Sequence, residues 1–381
     1  MSETTIKDFH AAFADPHTAA RAWKQQTGGQ VVGCIGADVP YELITAAGML
    51  PVRIVGEPCA ATDTIAPYVG DGVDPAVRSI AERLISGQYD YVDHVIICSS
   101  PFIYSSLYEF LLESRRIHGD IGLPTPVMFD FFRSQRLTAS LYNRETVQRF
   151  KGQLEEWSGN TVDDDKIRAA IATYNEQRKL LGQVNALRSG DNPTLSGTDA
   201  LTANATSLLL PVEKHCAMLR ELLAADLPKV SGTPVIYSGS NTENCTVYQA
   251  IEAAGALIVS DDQEFGSSAS EALVDEAAEN PIDALCDRLQ FGPPRVLGNQ
   301  VHDRADYLIS KASQTNAKAV VFHILAIDHP AALDYPRLRD RLHGAAIGTT
   351  EFGPRLYNET DFTPVTTQTQ DFLSELTTAE K

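Results

Sequence analysis

VVGCIGADVPYELITAAGMLPVRIV, residues 31–55, decides the fold. Val31–Ile35 is a short apolar run that ends in glycine-containing sequence, the pattern of a buried strand. Tyr41–Met49 follows with helical spacing, and Pro51–Val55 is a second strand. Two buried strands joined by a helix form a parallel pair, because only a crossover of that kind returns the chain in the same direction.

The alternation continues outward from this stretch. Pro75–Ile85 (PAVRSIAERLI) has amphipathic helical spacing, and Val92–Cys98 (VDHVIIC) is β-branched and bounded by Ser and Pro. Leu107–Ile117 returns to the helical period. From Thr161 to Leu187 the pattern is helical throughout, with Ile167, Ala170, Ile171, Tyr174, Arg178 and Leu181 on one stripe. Asp163–Asp165 supply an N-cap and acids that suit the positive end of that helix. The stretch SGDNPTLSGT at 189–198 reads as a break, and a further helix is predicted from Val212 to Ala225.

After Pro228 the alternation resumes. Pro234–Ser238, Ala256–Ser260, Ala319–Leu325 and Ala346–Thr349 are predicted strands. Helices are predicted at Thr246–Ala254, Ser270–Ala278, Val301–Thr315 and Pro336–His343. The expected fold class is α/β: two Rossmann-like domains, each a parallel sheet flanked by helices, joined by a helical connector. The expected boundaries are 1–160, 161–230 and 231–381. Ligands in such sheets lie beyond the carboxyl ends of the strands, so the loops after Ile35, Cys98, Ser238, Ser260 and Leu325 carry most interest.

The length of 381 residues agrees with two cores, since one core stops growing at roughly 250–300 residues. With 50 acidic and 31 basic residues the net charge is −19, spread along the chain. Such a surface repels phosphate backbones and argues against nucleic-acid binding, although a local basic pocket can still hold one nucleotide. No run of about 18 apolar residues occurs, and MSETTIKDFH has neither a basic nor an apolar leader region. A cytoplasmic protein with no membrane partner is expected. Six cysteines, at 34, 59, 98, 216, 245 and 286, contain no CxxC pair and suggest neither a zinc ribbon nor a disulfide framework.

Four segments in order resemble one family. Residues 31–53 resemble the opening strand, Pro-x-Glu turn and Ala-Ala-Gly helix of the 2-hydroxyacyl-CoA dehydratase and benzoyl-CoA reductase subunits, of the D-component type. TVDDDKIRAAIATYNEQRKLL at 161–181 resembles the family's long helix with its Tyr-Asn-x-x-Arg signature, here Tyr174, Asn175 and Arg178. IEAAGALIVSDD at 251–262 and DHPAALDYPRLR at 328–339 fit its second domain. The resemblance implies an acyl-CoA thioester substrate from which water is removed, and an active site between two domains. It also implies a homologous partner subunit in a homo- or hetero-oligomer, a 4Fe-4S cluster held by cysteine thiolates, and an ATP-dependent activator.

This chain departs from the family at the cluster. Alignment on flanking residues puts the three ligand positions at Asp74, Pro101 and Ile327, and a further frequent Cys position at Gly36. Proline and isoleucine offer no donor atom, and aspartate is a hard oxygen ligand where the cluster takes soft thiolates. No cofactor and no metal site is therefore expected on this chain, with a 4Fe-4S cluster held instead by a partner subunit. Cys34 and Cys98 lie near these positions; they are either a shifted site or packing at strand ends. The fold is open to three uses: a lyase half that relies on a cluster-bearing partner, a cluster-independent enzyme, or an acyl-CoA-binding or scaffold protein.

Glu42 stands where α/β ligands bind, as a substrate contact or as an acid near a helix N-terminus. Ser99, Ser100 and Tyr104 lie in the loop of the second cluster ligand; the hydroxyls would hydrogen-bond a thioester, or the serines would cap the next helix. Gly239–Thr242 is a phosphate cradle or a plain cap. Asp261 and Asp262 end a strand, as metal ligands or positioning acids. His323 reads as a core histidine. His329 beside Asp328 is a candidate acid–base pair, since imidazole titrates near neutrality.

Overall fold

The β-branched runs of the sequence fall into two groups separated by a long helical stretch, and the chain builds one sheet from each. The computed structural model describes residues 6–58, 60–66, 73–100, 102–119, 122–294 and 299–379. Pro101 and Cys59 lie outside them. Helices α1 (Ile6–Ala14) and α2 (Thr18–Thr27) lead into β1 (Val31–Ile35), α3 (Tyr41–Ala46), β2 (Leu50–Arg53), α4 (Pro75–Ile85), β3 (His94–Cys98), α5 (Phe102–His118) and β4 (Val127–Phe129). Next come α6 (Leu137–Ser158), α7 (Asp164–Ala186), α8 (Gly197–Thr206) and α9 (Val212–Ala224). The second half holds β5 (Thr233–Gly239), α10 (Thr246–Ala253), β6 (Ala256–Asp261), a 3-10 turn at Ser267–Ser270, α11 (Pro281–Phe291), α12 (Val301–Thr315), β7 (Ala319–Leu325), α13 (His329–Gly344), β8 (Gly348–Arg355) and α14 (Thr363–Ala379).

Among the described residues these strands form two four-stranded parallel sheets, ordered β2-β1-β3-β4 and β6-β5-β7-β8. The two orders are the same pattern repeated. In each, the chain leaves the first strand toward one edge and later crosses back to the other side. That reversal opens a crevice at the carboxyl ends of β1 and β3, and another at β5 and β7.

Each sheet is covered on both faces. One face of the first sheet packs against α3, α6, α7 and α11, through Leu43, Phe150, Ile171 and Leu285. The other packs against α2, α4 and α5. The second sheet lies between α8, α10 and α14 on one side and α12 and α13 on the other. A separate apolar cluster joins α1, α7, α8 and α9. Burial of each such leucine or isoleucine is worth about 1.5–3 kcal/mol. α11 packs on the first sheet although it follows the strands β5 and β6 of the second.

Several expected elements require correction. Ser270–Ala278 is not a helix beyond the short 3-10 turn. Its backbone is held by distant side chains: Asn175 bonds both the N–H and the carbonyl of Val274, and Arg168 donates to the carbonyls of Ala278 and Glu279. An unexpected helix, α8, starts at the end of the stretch that read as a break, capped by Ser196, whose hydroxyl accepts from Asp199 N. α13 begins at His329 and runs through Pro336, which sequence reasoning took as its start. The last strand lies at Gly348–Arg355, later than the predicted Ala346–Thr349. Among the described residues no helix is long and apolar enough to cross a membrane.

Candidate functional site

The carboxyl ends of the two sheets meet around Arg53, the last residue of β2. Its guanidinium is 3% exposed, donates to the Gly36 carbonyl, and donates to Glu264 beyond β6 at 2.6 Å. The same group lies 5.2 Å from the centroid of the Phe265 ring. Gly36 adopts φ +95°, and a Cβ there would stand 2.5 Å from Cys98 Cβ and 2.9 Å from its sulfur. The Gly36 position thus has no room for a side chain beside Cys98.

Cys34 and Cys98 are both fully buried. Burial pushes the Cys34 thiol up to about 12 and raises Cys98 as well, so both sulfurs remain protonated at neutral pH. Asp74 serves α4 as its N-cap, accepting from Ala76 N at 2.7 Å and Val77 N at 3.3 Å. Burial raises its pKa, the two backbone bonds oppose that, and the charge of Asp328 adds to the rise. Asp74 of the first α/β unit thus lies within electrostatic reach of Asp328 of the second. Ile327 lies half-buried in the turn after β7. An aspartate engaged by two amides, an isoleucine and two protonated thiols do not fit an iron-sulfur cluster, which takes thiolates.

Asp328 forms no pair with His329 among the described residues. Its carboxylate caps α13 through Ala331 N at 3.1 Å and accepts from Ser240 Oγ at 2.8 Å, while His329 is exposed. Ser240 also accepts Leu325 N at 3.0 Å and gives its own N–H to His323 O at 2.7 Å. The Gly239–Thr242 turn thus spends two of its amides internally, since Thr242 N donates to Gln263. In the first sheet's crevice, Ser99 N donates to Phe129 O at 3.1 Å and Ser105 Oγ donates to Ser99 O at 3.4 Å. Ser99, Ser100 and Tyr104 are half-buried there. Burial raises the Tyr104 hydroxyl's pKa against the pull of nearby Arg53.

Glu42 opens α3 beside the same cleft and is 2% exposed. It accepts from Arg178, which also donates to Asn175 Oδ1 at 3.1 Å. Burial alone would raise the Glu42 pKa, but Arg178 and Arg288 outweigh it and the net shift is downward. Tyr174 completes the group through a 3.0 Å bond to Thr45. A cavity of about 70 Å³ lies between Tyr41, Glu42, Arg53, Arg178, Glu264 and Arg288.

Sequence reasoning missed Glu243 and Tyr357. Glu243, between β5 and α10, accepts from Gly56 N at 3.2 Å and from the Tyr357 hydroxyl. Burial raises its pKa, opposed by the Tyr357 and Gly56 bonds. With His323 they line a cavity of about 250 Å³. No motif surrounds either residue, and only the topology brings 243 and 357 together. His323 is a core histidine bonded to Tyr237 at 3.1 Å, and burial lowers it to about 4. Asp261 and Asp262 are consumed by buried ion pairs to Arg188 at 3.1 Å and Arg304 at 3.0 Å. Among the described residues no three His, Cys, Asp or Glu side chains gather as metal ligands would.

Two parallel sheets of identical strand order, each flanked by helices, define an α/β protein of two repeated units. Over residues 37–373 the chain matches the model of the family described as 2-hydroxyglutaryl-CoA dehydratase, D-component, and it belongs to that family. It is 28% identical to one of the subunits of benzoyl-CoA reductase from Thauera aromatica, with 85% of each chain covered. It is 23% identical to the beta subunit of (R)-phenyllactyl-CoA dehydratase from Clostridium sporogenes, over 94% of each. Identity to the beta subunit of (R)-2-hydroxyglutaryl-CoA dehydratase from Acidaminococcus fermentans is 24%, covering 91% of this chain and 93% of that one.

Proposed function

We propose that this chain is a subunit of a 2-hydroxyacyl-CoA dehydratase-type enzyme, binding the acyl-CoA thioester while a homologous partner subunit holds the 4Fe-4S cluster. An ATP-dependent activator would act on that partner. The reaction is removal of water from a 2-hydroxyacyl-CoA. The buried Glu42–Arg178 pair supports this reading, because it joins two motifs the chain shares with the family, while Asp74 and Ile327, two of the three positions where the resemblance puts cluster ligands, offer no thiolate and the third, Pro101, lies outside the described residues.

In this reading Glu42 acts as a fixed carboxylate. Its Arg178 partner keeps it ionised, so it accepts a hydrogen bond from a substrate hydroxyl and does not deliver a proton. Tyr104, Ser99 and Ser100 supply hydroxyls on the opposite crevice wall, and His329 stands at the exposed rim. The protein acts in the cytoplasm as part of an oligomer.

Anaerobic purification followed by iron and acid-labile sulfide analysis tests the proposal. Iron well below one atom per chain is expected, and turnover of a 2-hydroxyacyl-CoA only after mixing with a cluster-bearing homologue. A full cube of iron on the isolated chain overturns it.

A further inference from the structure

On the edge of the second sheet, beside β6, an open groove of about 470 Å³ runs between the second half of α7, the 3-10 turn and the end of α12. In a chain of net charge −19, its walls carry Arg178, Lys179, Arg188 and Lys311, and among its described lining residues the carboxylate is Glu271. We propose that this groove seats the phosphates of coenzyme A, with the acyl end directed inward to the Glu42 chamber. The inference rests on the acyl-thioester reading given above and locates that ligand.

Three observations support the placement. First, two lysines line the groove, one of them at the exposed rim in a pair that a polyanion can take over. Lys179 is 56% exposed and 3.6 Å from Glu276, and Lys311 lies 2.7 Å from Glu271. The exposed Lys179 pair contributes little to the fold, so its reorientation toward phosphate is cheap, whereas Lys311, largely buried, adds its charge to the groove wall. Second, Arg188 is 1% exposed, and its Nε has no hydrogen-bond partner, although the guanidinium also holds Asp261. A buried N–H without an acceptor is uncommon in folded proteins. A ligand oxyanion in the groove would supply one, and Ser260 and Ser267 on the same wall add hydroxyls.

Third, the groove and the inner chamber share Arg178 and Ser270 as a common wall. A ligand with a charged head and a narrow arm fits that sequence of spaces: the phosphates stay at the lysines while the thioester passes Arg178 toward Glu42. A free phosphate would use the groove alone and leave the chamber unaffected.

Calorimetric titration of the full-length chain with coenzyme A, pantetheine and inorganic phosphate separates these sources. Coenzyme A is expected to bind, pantetheine to bind at least about tenfold more weakly, and Lys179→Glu with Lys311→Glu to weaken coenzyme A by about tenfold or more in a salt-dependent way. A control pair of charge reversals, Lys7→Glu with Lys214→Glu on remote exposed helix faces, should leave affinity unchanged, with circular dichroism confirming the fold of both variants. Equal affinity of wild type and the Lys179/Lys311 variant, or inorganic phosphate binding as tightly as coenzyme A, overturns the site. Should that variant still turn over 2-hydroxyacyl-CoA in the mixed assay with an unaltered KM, the location falls while the proposed function stands. If the wild type binds no coenzyme A ester, both fall.

Discussion

Arg178 of α7 donates to Glu42 of α3, and the pair is closed off from solvent, with side-chain exposures of 8% and 3%. The arginine of the Tyr-Asn-x-x-Arg signature and the glutamate of the Pro-x-Glu turn are thus two halves of one contact. Replacing Arg178 by alanine leaves a buried carboxylate without its counter-charge, which costs about 3–5 kcal/mol. Urea unfolding of Arg178→Ala against wild type measures it. A loss below about 1 kcal/mol would mean that water reaches the pair.

Glu42, buried, and Glu243, half-buried, predict opposite pH responses. Glu42 is lowered from its ordinary 4.5 because its arginines outweigh burial, so its stabilisation is present above that value and disappears as pH falls through the lower folded-state value. Glu243 is raised from 4.5 chiefly by burial, so the folded state takes up a proton there, and stability is lost as pH climbs past 4.5 toward the folded value. Relative to wild type, Glu42→Gln should lose its disadvantage in acid, and Glu243→Gln should gain advantage as pH rises from acid to neutral. Denaturant midpoints from about pH 3 to about pH 8 cover both windows, the Glu42 one below its ordinary value and the Glu243 one above it; slopes of the same sign would refute the assignment.

Gly36→Ala places a methyl group 2.5 Å from Cys98 Cβ on a residue at φ +95°. Left-handed strain and overpacking together are worth about 2–5 kcal/mol. Thermal unfolding should show a clear loss, and adding Cys98→Ala should recover only the part due to the sulfur at 2.9 Å, because alanine keeps the Cβ at 2.5 Å and the backbone strain is unchanged. Full recovery in the double variant would show that φ is adaptable.

Asn175→Ala removes both bonds that hold Val274, 2.9 Å to its N–H and 2.8 Å to its carbonyl. The expected cost is about 1–3 kcal/mol for buried groups left without partners. Hydrogen exchange should accelerate at Val274 and its neighbours, while amides of β1 and β3 keep their protection. Unchanged exchange at Val274 would assign the hold to its apolar contacts.

The sheets were legible because they obey local rules. β1, β7, α4 and α12 fall where the β-branched runs and the amphipathic spacing of Pro75–Ile85 and Val301–Thr315 put them. α6 escaped because its buried face includes Ser140, Asn143 and Thr146 beside Val147, Phe150 and Leu154, which blurs the apolar stripe. α8 escaped for a related reason: Thr206 and Asn204 bond carbonyls one turn back, so small polar residues fill a helix buried everywhere but at Asp199. Residues 270–278 failed because their backbone partners are about a hundred positions away in α7. Glu42 was legible from its turn, whereas its pairing with Arg178, and the meeting of Glu243 with Tyr357, depend on three-dimensional closure that no local pattern encodes.

Val274, Ile282, Leu285 and Leu289 insert among Val32, Leu43, Ile96 and Phe150, finishing an interior that begins with the thirty-second residue. On the ribosome, therefore, the opening sheet must wait until Leu289 has emerged before it can seal. A protease cut near residue 230 would unzip that interior from behind, so neither fragment should persist as a soluble body by itself.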